Sequence, residues 1–298
     1  MRIGFIGTGH IGNPMARHIL EAGHQMTVHD LNRQSTINLE EMGATWAPTP
    51  QAVAEGSEII FTSLPGPREV EAVALGPQSI LEGAQEDAVY VDLSTSSPSS
   101  ARRIHQQYKA RGISALDAPV SGGVPGAEAA TLSIMVGGDR DIFEKVSPIL
   151  RSIGDKLIYC GPPGNGMVCK ICNNLVTMSL AAFLPEVLTL GVEAGVDLKT
   201  VARAITSGSG SNWVLAGKFP TTLFQGNFEP GFTLNLAAKD VHLATELGQE
   251  LGLPMEASNL FAQTYRAALR QGLGHLDADA VALLYEGRTG TKLRFTDD

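Results

Sequence analysis

Apolar positions in the first half of the chain fall in short runs closed by turn residues, with stretches of helical spacing between them. Ile3, Phe5 and Ile6 form a run that stops at Gly7. Residues 10–22 place Ile11, Met15, Ile19 and Leu20 three to four apart or side by side, one face of a helix, and Gly23 closes them. Residues 25–29 predict a second strand ending at Asp30. Strand, glycine turn, helix and strand within about 30 residues make a βαβ unit. The alternation continues. Residues 58–64 run into Pro65-Gly66-Pro67, and 88–93 stop at Ser94-Thr95. A helix is expected from Pro98 to Ala110, strands at 114–118 and 132–136, and a helix near 139–152. Apolar strands separated by amphipathic helices predict a parallel sheet with helices on both faces.

The pattern changes at Gly161-Pro162-Pro163-Gly164-Asn165-Gly166. From Met167 to about Ala194 runs one long, mostly apolar helical stretch, in which Pro185 predicts a kink or break. Helical patterns fill 199–206, 237–251, 254–271 and 277–286, and no strand-like run stands out there. The expected organisation is a Rossmann-type α/β domain over 1–162, a long interdomain helix over 163–193, and an all-α C-terminal domain over 194–298. A helix apolar all round needs cover. A second copy of the chain is the expected cover, in a homodimer or homotetramer joined through the long helix and the C-terminal domain.

Composition narrows the classes. A chain of 298 residues exceeds a comfortable single core. With 43% hydrophobic and 18% charged residues it is not globally disordered. A net charge of −9, with no basic tract, argues against a nucleic-acid partner but leaves room for a small anionic substrate. Cys169 and Cys172 form a C-x-x-C without the second pair that zinc needs, inside an apolar run. They read as packing residues, and no metal is expected. The first apolar run is too short for a secretory core, and no run of ~18 apolar residues occurs. A cytoplasmic protein without a membrane partner is expected.

The turn after the first strand is Gly7-Thr8-Gly9-His10-Ile11-Gly12. This is the spacing of a dinucleotide-binding loop. Its first glycine allows the tight turn, its second the approach of a pyrophosphate, and its third close packing of helix on strand. The helix N-terminus offers amide groups and a positive dipole end to the phosphates. Asp30 stands 18 residues after Gly12, where a carboxylate would bond the ribose hydroxyls and repel a 2′-phosphate. NAD is the favoured cofactor. Arg33 is the counter-signal for NADP.

Two further motifs are Asp117-Ala118-Pro119-Val120-Ser121-Gly122-Gly123 and the segment from Gly161 to Asn174, Gly-Pro-Pro-Gly-Asn-Gly-Met-Val-Cys-Lys-Ile-Cys-Asn-Asn. With the glycine loop and Ala238-Lys239-Asp240, in this order, they make the chain resemble the β-hydroxyacid dehydrogenase family, which has a C-terminal domain like that of 6-phosphogluconate dehydrogenase. The resemblance implies roles. Lys170 matches the catalytic lysine, and Asn174 the asparagine that helps hold lysine and substrate. Ser121, Gly122 and Gly123 match the loop for the substrate carboxylate. Thr95 and the Leu64-Pro65 turn match cofactor contacts. Lys239 matches a second active-site lysine near cofactor and substrate, with Asp240 its neighbour.

Elementary chemistry agrees with these roles. Lys170 and Asn174 are i and i+4, on one face of a helix. A lysine in an apolar helix is costly unless it is paired or used. Burial and a second cation would both favour its neutral form, as a general acid/base needs. Consecutive amides at Ser121-Gly122-Gly123 suit a carboxylate. The expected activity is hydride transfer between NAD(H) and a short β-hydroxy acid or its semialdehyde, of the 3-hydroxyisobutyrate or tartronate semialdehyde type, in a cleft between the domains. The alternatives are a succinate semialdehyde or glyoxylate reductase, and a non-catalytic dinucleotide-binding module.

Overall fold

The computed structural model describes residues 1–295 and divides into two compact units, Met1–Lys170 and residues from Ile171 onward. The first unit is built on nine strands: β1 (Arg2–Ile6), β2 (Gln25–His29), β3 (Thr45–Trp46), β4 (Ile59–Thr62), β5 (Val89–Asp92), β6 (Ser114–Asp117), β7 (Val120–Ser121), β8 (Ser133–Gly137) and β9 (Lys156–Gly161). Their order is β3-β2-β1-β4-β5-β6-β8-β7, with β9 paired to β8. The first six are parallel. The order reverses between β1 and β4, which leaves a crevice at their carboxyl ends, where such sheets bind ligands.

Alternation along the strands builds two cores. Phe5, Ile59 and Val89 face the cluster that holds Met15 and Ile19 of helix Gly12–Glu21. Their neighbours Ile6, Ile60 and Tyr90 face the opposite cluster, with Val70 and Ile104 from helices Pro67–Leu75 and Pro98–Lys109. Side chains alternate across a strand, so runs buried on both faces read as continuous apolar stretches.

The sheet departs from the all-parallel expectation at one place: β8 runs antiparallel to both β6 and β7. A strand buried on both faces has the same composition in either direction, so periodicity does not report its sense. β9 extends the sheet parallel to β8. Its pattern, Lys156-Leu157-Ile158-Tyr159, carries no buried run.

The helix Asn165–Glu193 continues through Pro185 without a break. By length and composition it could cross a membrane. One side of it supplies core residues of the second unit. Ala181, Leu184 and Leu188 pack with Phe219 and Phe224, and Met178 packs with Tyr265, whose hydroxyl donates to the Met178 carbonyl at 3.1 Å. Helices Leu198–Ser207, Leu234–Glu250, Glu256–Arg270 and Ala282–Thr289 complete that unit. A single bridge, Thr233 to Asp277, is the strand-like pairing seen there among the described residues. Cys169 and Cys172 are exposed, so the expected packing role does not hold within the chain.

Candidate functional site

The carboxyl edge of the parallel strands gathers most of the candidate residues. After β1, Gly7 takes φ +91°, a conformation that disfavours side chains, and a Cβ there would stand 2.2 Å from the Ser63 carbonyl oxygen. A Cβ on Gly12 would stand 1.9 Å from the Gly7 carbonyl oxygen, so loop and helix touch backbone to backbone. A Cβ on Gly9 would meet nothing within 4 Å. Packing therefore does not demand this glycine, and the space outside it is open. Helix Gly12–Glu21 has no side-chain cap and no acidic residue in its first turn. Thr8 is buried, Ile11 half-buried and His10 exposed. These features fit a dinucleotide: a tight turn, an open face at Gly9 and an uncapped helix start.

Asp30 follows β2 and ties the loop down. Its Oδ2 accepts the Thr8 amide at 2.7 Å and its Oδ1 the Asn32 amide at 2.8 Å. Each carboxylate oxygen has a second lone pair for another donor. Arg33 is engaged elsewhere. It donates to Glu40 Oε2 at 2.8 Å and its guanidinium lies 4.1 Å from the Trp46 ring centroid. Leu64 and Pro65 follow β4, with the Leu64 amide donating to Ser94 Oγ at 2.9 Å. Thr95 follows β5 and is half-buried.

Ser121 ends the edge strand β7. Gly122 and Gly123, at φ +139° and +64°, are exposed and open the short helix Gly123–Glu128. Asp117, the last residue of β6, is buried. Its Oδ1 accepts the Gly164 amide at 2.7 Å and its Oδ2 the Met167 amide at 2.9 Å. The first turn of helix Asn165–Glu193 is thus fastened to the end of β6. Burial pushes the Asp117 carboxyl up to about 6. The Gly164 and Met167 amides oppose that shift, and the nearby Asp92 adds to it.

Lys170 lies on this helix three residues beyond Met167, with 7% of its surface exposed. Asn174, one turn further, is equally buried. In the helical unit the Asn174 side-chain amide donates to Asp240 Oδ2, and Asn173 donates to Asn174 Oδ1 at 3.1 Å. Lys239 Nζ stands 3.2 Å from the other Asp240 oxygen. Asn174, Asp240 and Lys239 are therefore one connected cluster. A buried amide held by a carboxylate keeps its carbonyl oxygen in a fixed direction. The role of Asp117 went unread in the sequence. Its signal was an aspartate closing a strand, 47 residues before a Gly-rich helix start. Among the described residues no group of three or more His, Cys, Asp or Glu side chains is placed to hold a metal.

An acidic residue after β2 and a glycine loop at the strand-order reversal fit a dinucleotide-binding domain. Residues 2–161 match the family described as the NAD-binding domain of 6-phosphogluconate dehydrogenase. Residues 164–285 match that described as the NAD-binding region of NADP-dependent 3-hydroxyisobutyrate dehydrogenase. The chain is 38% identical over 293 residues to 2-(hydroxymethyl)glutarate dehydrogenase of Eubacterium barkeri, covering 98% of this chain and 97% of that one. It is 35% identical to the NAD-dependent L-serine dehydrogenase of Pseudomonas aeruginosa, covering 97% and 99%. It superposes on Mycobacterium tuberculosis 3-hydroxyisobutyrate dehydrogenase with L-serine at a TM-score of 0.87 and 29% identity, covering 95% and 98%. The chain belongs to the β-hydroxyacid dehydrogenase family and is an NAD(P)-dependent oxidoreductase acting on a small-molecule substrate.

Proposed function

We propose that the protein interconverts a short β-hydroxy acid and its semialdehyde, with NAD as the preferred cofactor and Lys170 as the general acid/base. The observation that carries this reading is the buried Lys170 with Asn174 one helical turn away. The helix that bears them is fastened by Asp117 to the sheet edge where the glycine loop also lies. A buried ammonium is costly unless it is used or paired, and proton transfer to or from a substrate hydroxyl is such a use.

When bound, the nicotinamide supplies or accepts the hydride. The chain does the rest. The backbone of Gly7 to Gly12 and the start of helix Gly12–Glu21 bind the pyrophosphate, and Asp30 takes the ribose hydroxyls. Leu64, Pro65 and Thr95 line the path toward the nicotinamide. The turn Ser121-Gly122-Gly123 holds the substrate carboxylate, its two glycines exposed. Asn174 and Lys239, both fixed on Asp240, orient the hydroxyl-bearing end. Lys170 removes the hydroxyl proton in oxidation or returns it in reduction.

The engaged state of Arg33, paired with Glu40 and stacked on Trp46, supports NAD over NADP. The substrates named for the relatives, 2-(hydroxymethyl)glutarate, L-serine and 3-hydroxyisobutyrate, each carry a primary hydroxyl β to a carboxylate. That shared unit supports the same class here. The test is NADH oxidation against a panel of short semialdehydes, with NADPH in parallel. Turnover on β-semialdehyde acids with NADH is expected. Strict use of NADPH, or turnover only on aldehydes without a carboxylate, would overturn the reading.

A further inference from the structure

We propose that Asp117 is a positioning residue for the reaction: as an ionised carboxylate it holds the helix of Lys170 and the Ser121-Gly122-Gly123 loop in one frame. The proposal rests on the reading of Lys170 and the Ser121–Gly123 turn given above. Asp117 occupies the junction of the two segments. It closes β6, and four residues later comes Ser121. Its two oxygens accept the amides of Gly164 and Met167, and three residues after Met167 comes Lys170. The helix start would otherwise present unpaired N–H groups, and a carboxylate answers both them and the positive end of the helix.

The surroundings leave the helix start little freedom. A Cβ on Gly166 would stand 2.4 Å from the Met135 carbonyl oxygen and 2.6 Å from that of Asp117. A Cβ on Gly137 would stand 2.7 Å from Asp117 Oδ1. Two lighter ties hold the same turn: the Ser96 amide on Met167 Sδ at 3.4 Å, and Arg102 Nε on the Pro163 carbonyl at 3.3 Å. Ser96 adjoins Thr95, so the turn is fixed to the ends of both β5 and β6. Of these ties, the two to Asp117 are the shortest and involve a charged acceptor, so they dominate.

Asp117 is also the tie that can titrate. Charged and titratable groups face it from several elements. Asp92 of β5 raises its carboxyl, and its own charge helps raise the Cys160 thiol of β9, after burial and Cys169. His105, Tyr90 and Asp92 share with it a cavity of about 10 Å³, room for one water. Arg102 stands near Gly164. With the carboxyl pushed up to about 6, acidification from pH 8 to pH 5 protonates it. A neutral carboxyl keeps one good acceptor oxygen and loosens one of the two amides. The sign for stability is opposite. The folded-state value lies above the ordinary one, so proton uptake favours the folded state and stability rises as pH falls through 6.

The experiment measures kcat, KM and melting temperature from pH 5 to 8 for the wild type, Asp117→Asn and Lys170→Ala. In the wild type, kcat should fall about tenfold between pH 7 and pH 5 while the melting temperature does not fall. In Asp117→Asn, kcat should be about 10- to 100-fold lower at pH 8 and lose that acidic limb. KM for NADH should stay within about twofold, because the glycine loop is not tied to Asp117. A wild-type kcat that is flat across this range overturns the proposal, even if Asp117→Asn fails to fold. Wild-type kcat and an unchanged acidic limb in Asp117→Asn overturn it as well. If Lys170→Ala keeps full turnover, the parent reading fails instead, whatever Asp117→Asn does.

Discussion

At the scale of residues, the proposed preference for NAD rests on Asp30 and Arg33. Asp30 meets the loop through the Thr8 amide and keeps lone pairs for a ribose. Arg33, the one residue that argued for a 2′-phosphate, is neutralised by Glu40. Replacing Asp30 with alanine removes a charged acceptor from both the loop and the ribose. Charged hydrogen bonds contribute about 1.5–3 kcal/mol, so KM for NADH should rise about 10- to 100-fold and the preference over NADPH should narrow. Steady-state kinetics with both cofactors measures this, and an unchanged ratio would show that Asp30 does not read the ribose. The placement of Lys170 and Asn174 one turn apart on a helix was legible because the spacing and the apolar run predict it. Asp117 was not, since capping partners 47 and 50 residues away leave no local trace in a sequence.

At the scale of elements, buried strands were plain and edge strands were not. β1, β4, β5 and β6 are apolar runs closed by turn residues, and all four were expected. β3 and β7 are two residues long, too short to show a period. The reversal of β8 depends on which neighbours it finds, a tertiary fact. The long helix shows the same limit. It read as apolar all round, yet one side packs in the helical unit while Val176, Phe183 and Leu190 are exposed at seven-residue spacing. The expectation of a second copy covering the long helix bears on this stripe, with exposed Cys169 and Cys172 in line. Phe183→Glu should then lower the molar mass seen by light scattering to that of the 31.5 kDa monomer. An unchanged mass would remove the stripe from the interface.

Across the whole molecule, the two units rest on different kinds of buried interaction. The sheet unit relies on two apolar cores and on backbone contact at glycines. The helical unit adds a buried ion cluster. Lys218 Nζ lies 2.9 Å from Asp277 Oδ1 and 3.0 Å from Asp279 Oδ1, and Asp277 also accepts the Gly231 and Phe232 amides. Burial alone would pull the Lys218 ammonium down, but Asp279 and Asp277 outweigh it and hold it above the usual lysine range. Lys218→Ala leaves two buried carboxylates facing each other. Breaking a buried pair costs about 3–5 kcal/mol, so denaturant unfolding should show a loss of that size. Burial already holds the Asp279 carboxyl above the usual range. The loss should therefore shrink as pH falls and Asp279 takes a proton. A loss below about 1 kcal/mol would place the cluster at a wetter site than its geometry shows.

In the proposed function, Lys170 moves the proton while the glycine loop holds the cofactor. The most direct measurement is a single-turnover reduction of a β-semialdehyde acid by NADH in Lys170→Ala, with NADH binding followed on the same sample. NADH affinity within about twofold of wild type is expected, with a hydride-transfer rate about 10²- to 10⁴-fold slower, the range of general acid/base catalysis. Transfer at the wild-type rate in a variant that binds NADH normally would contradict it.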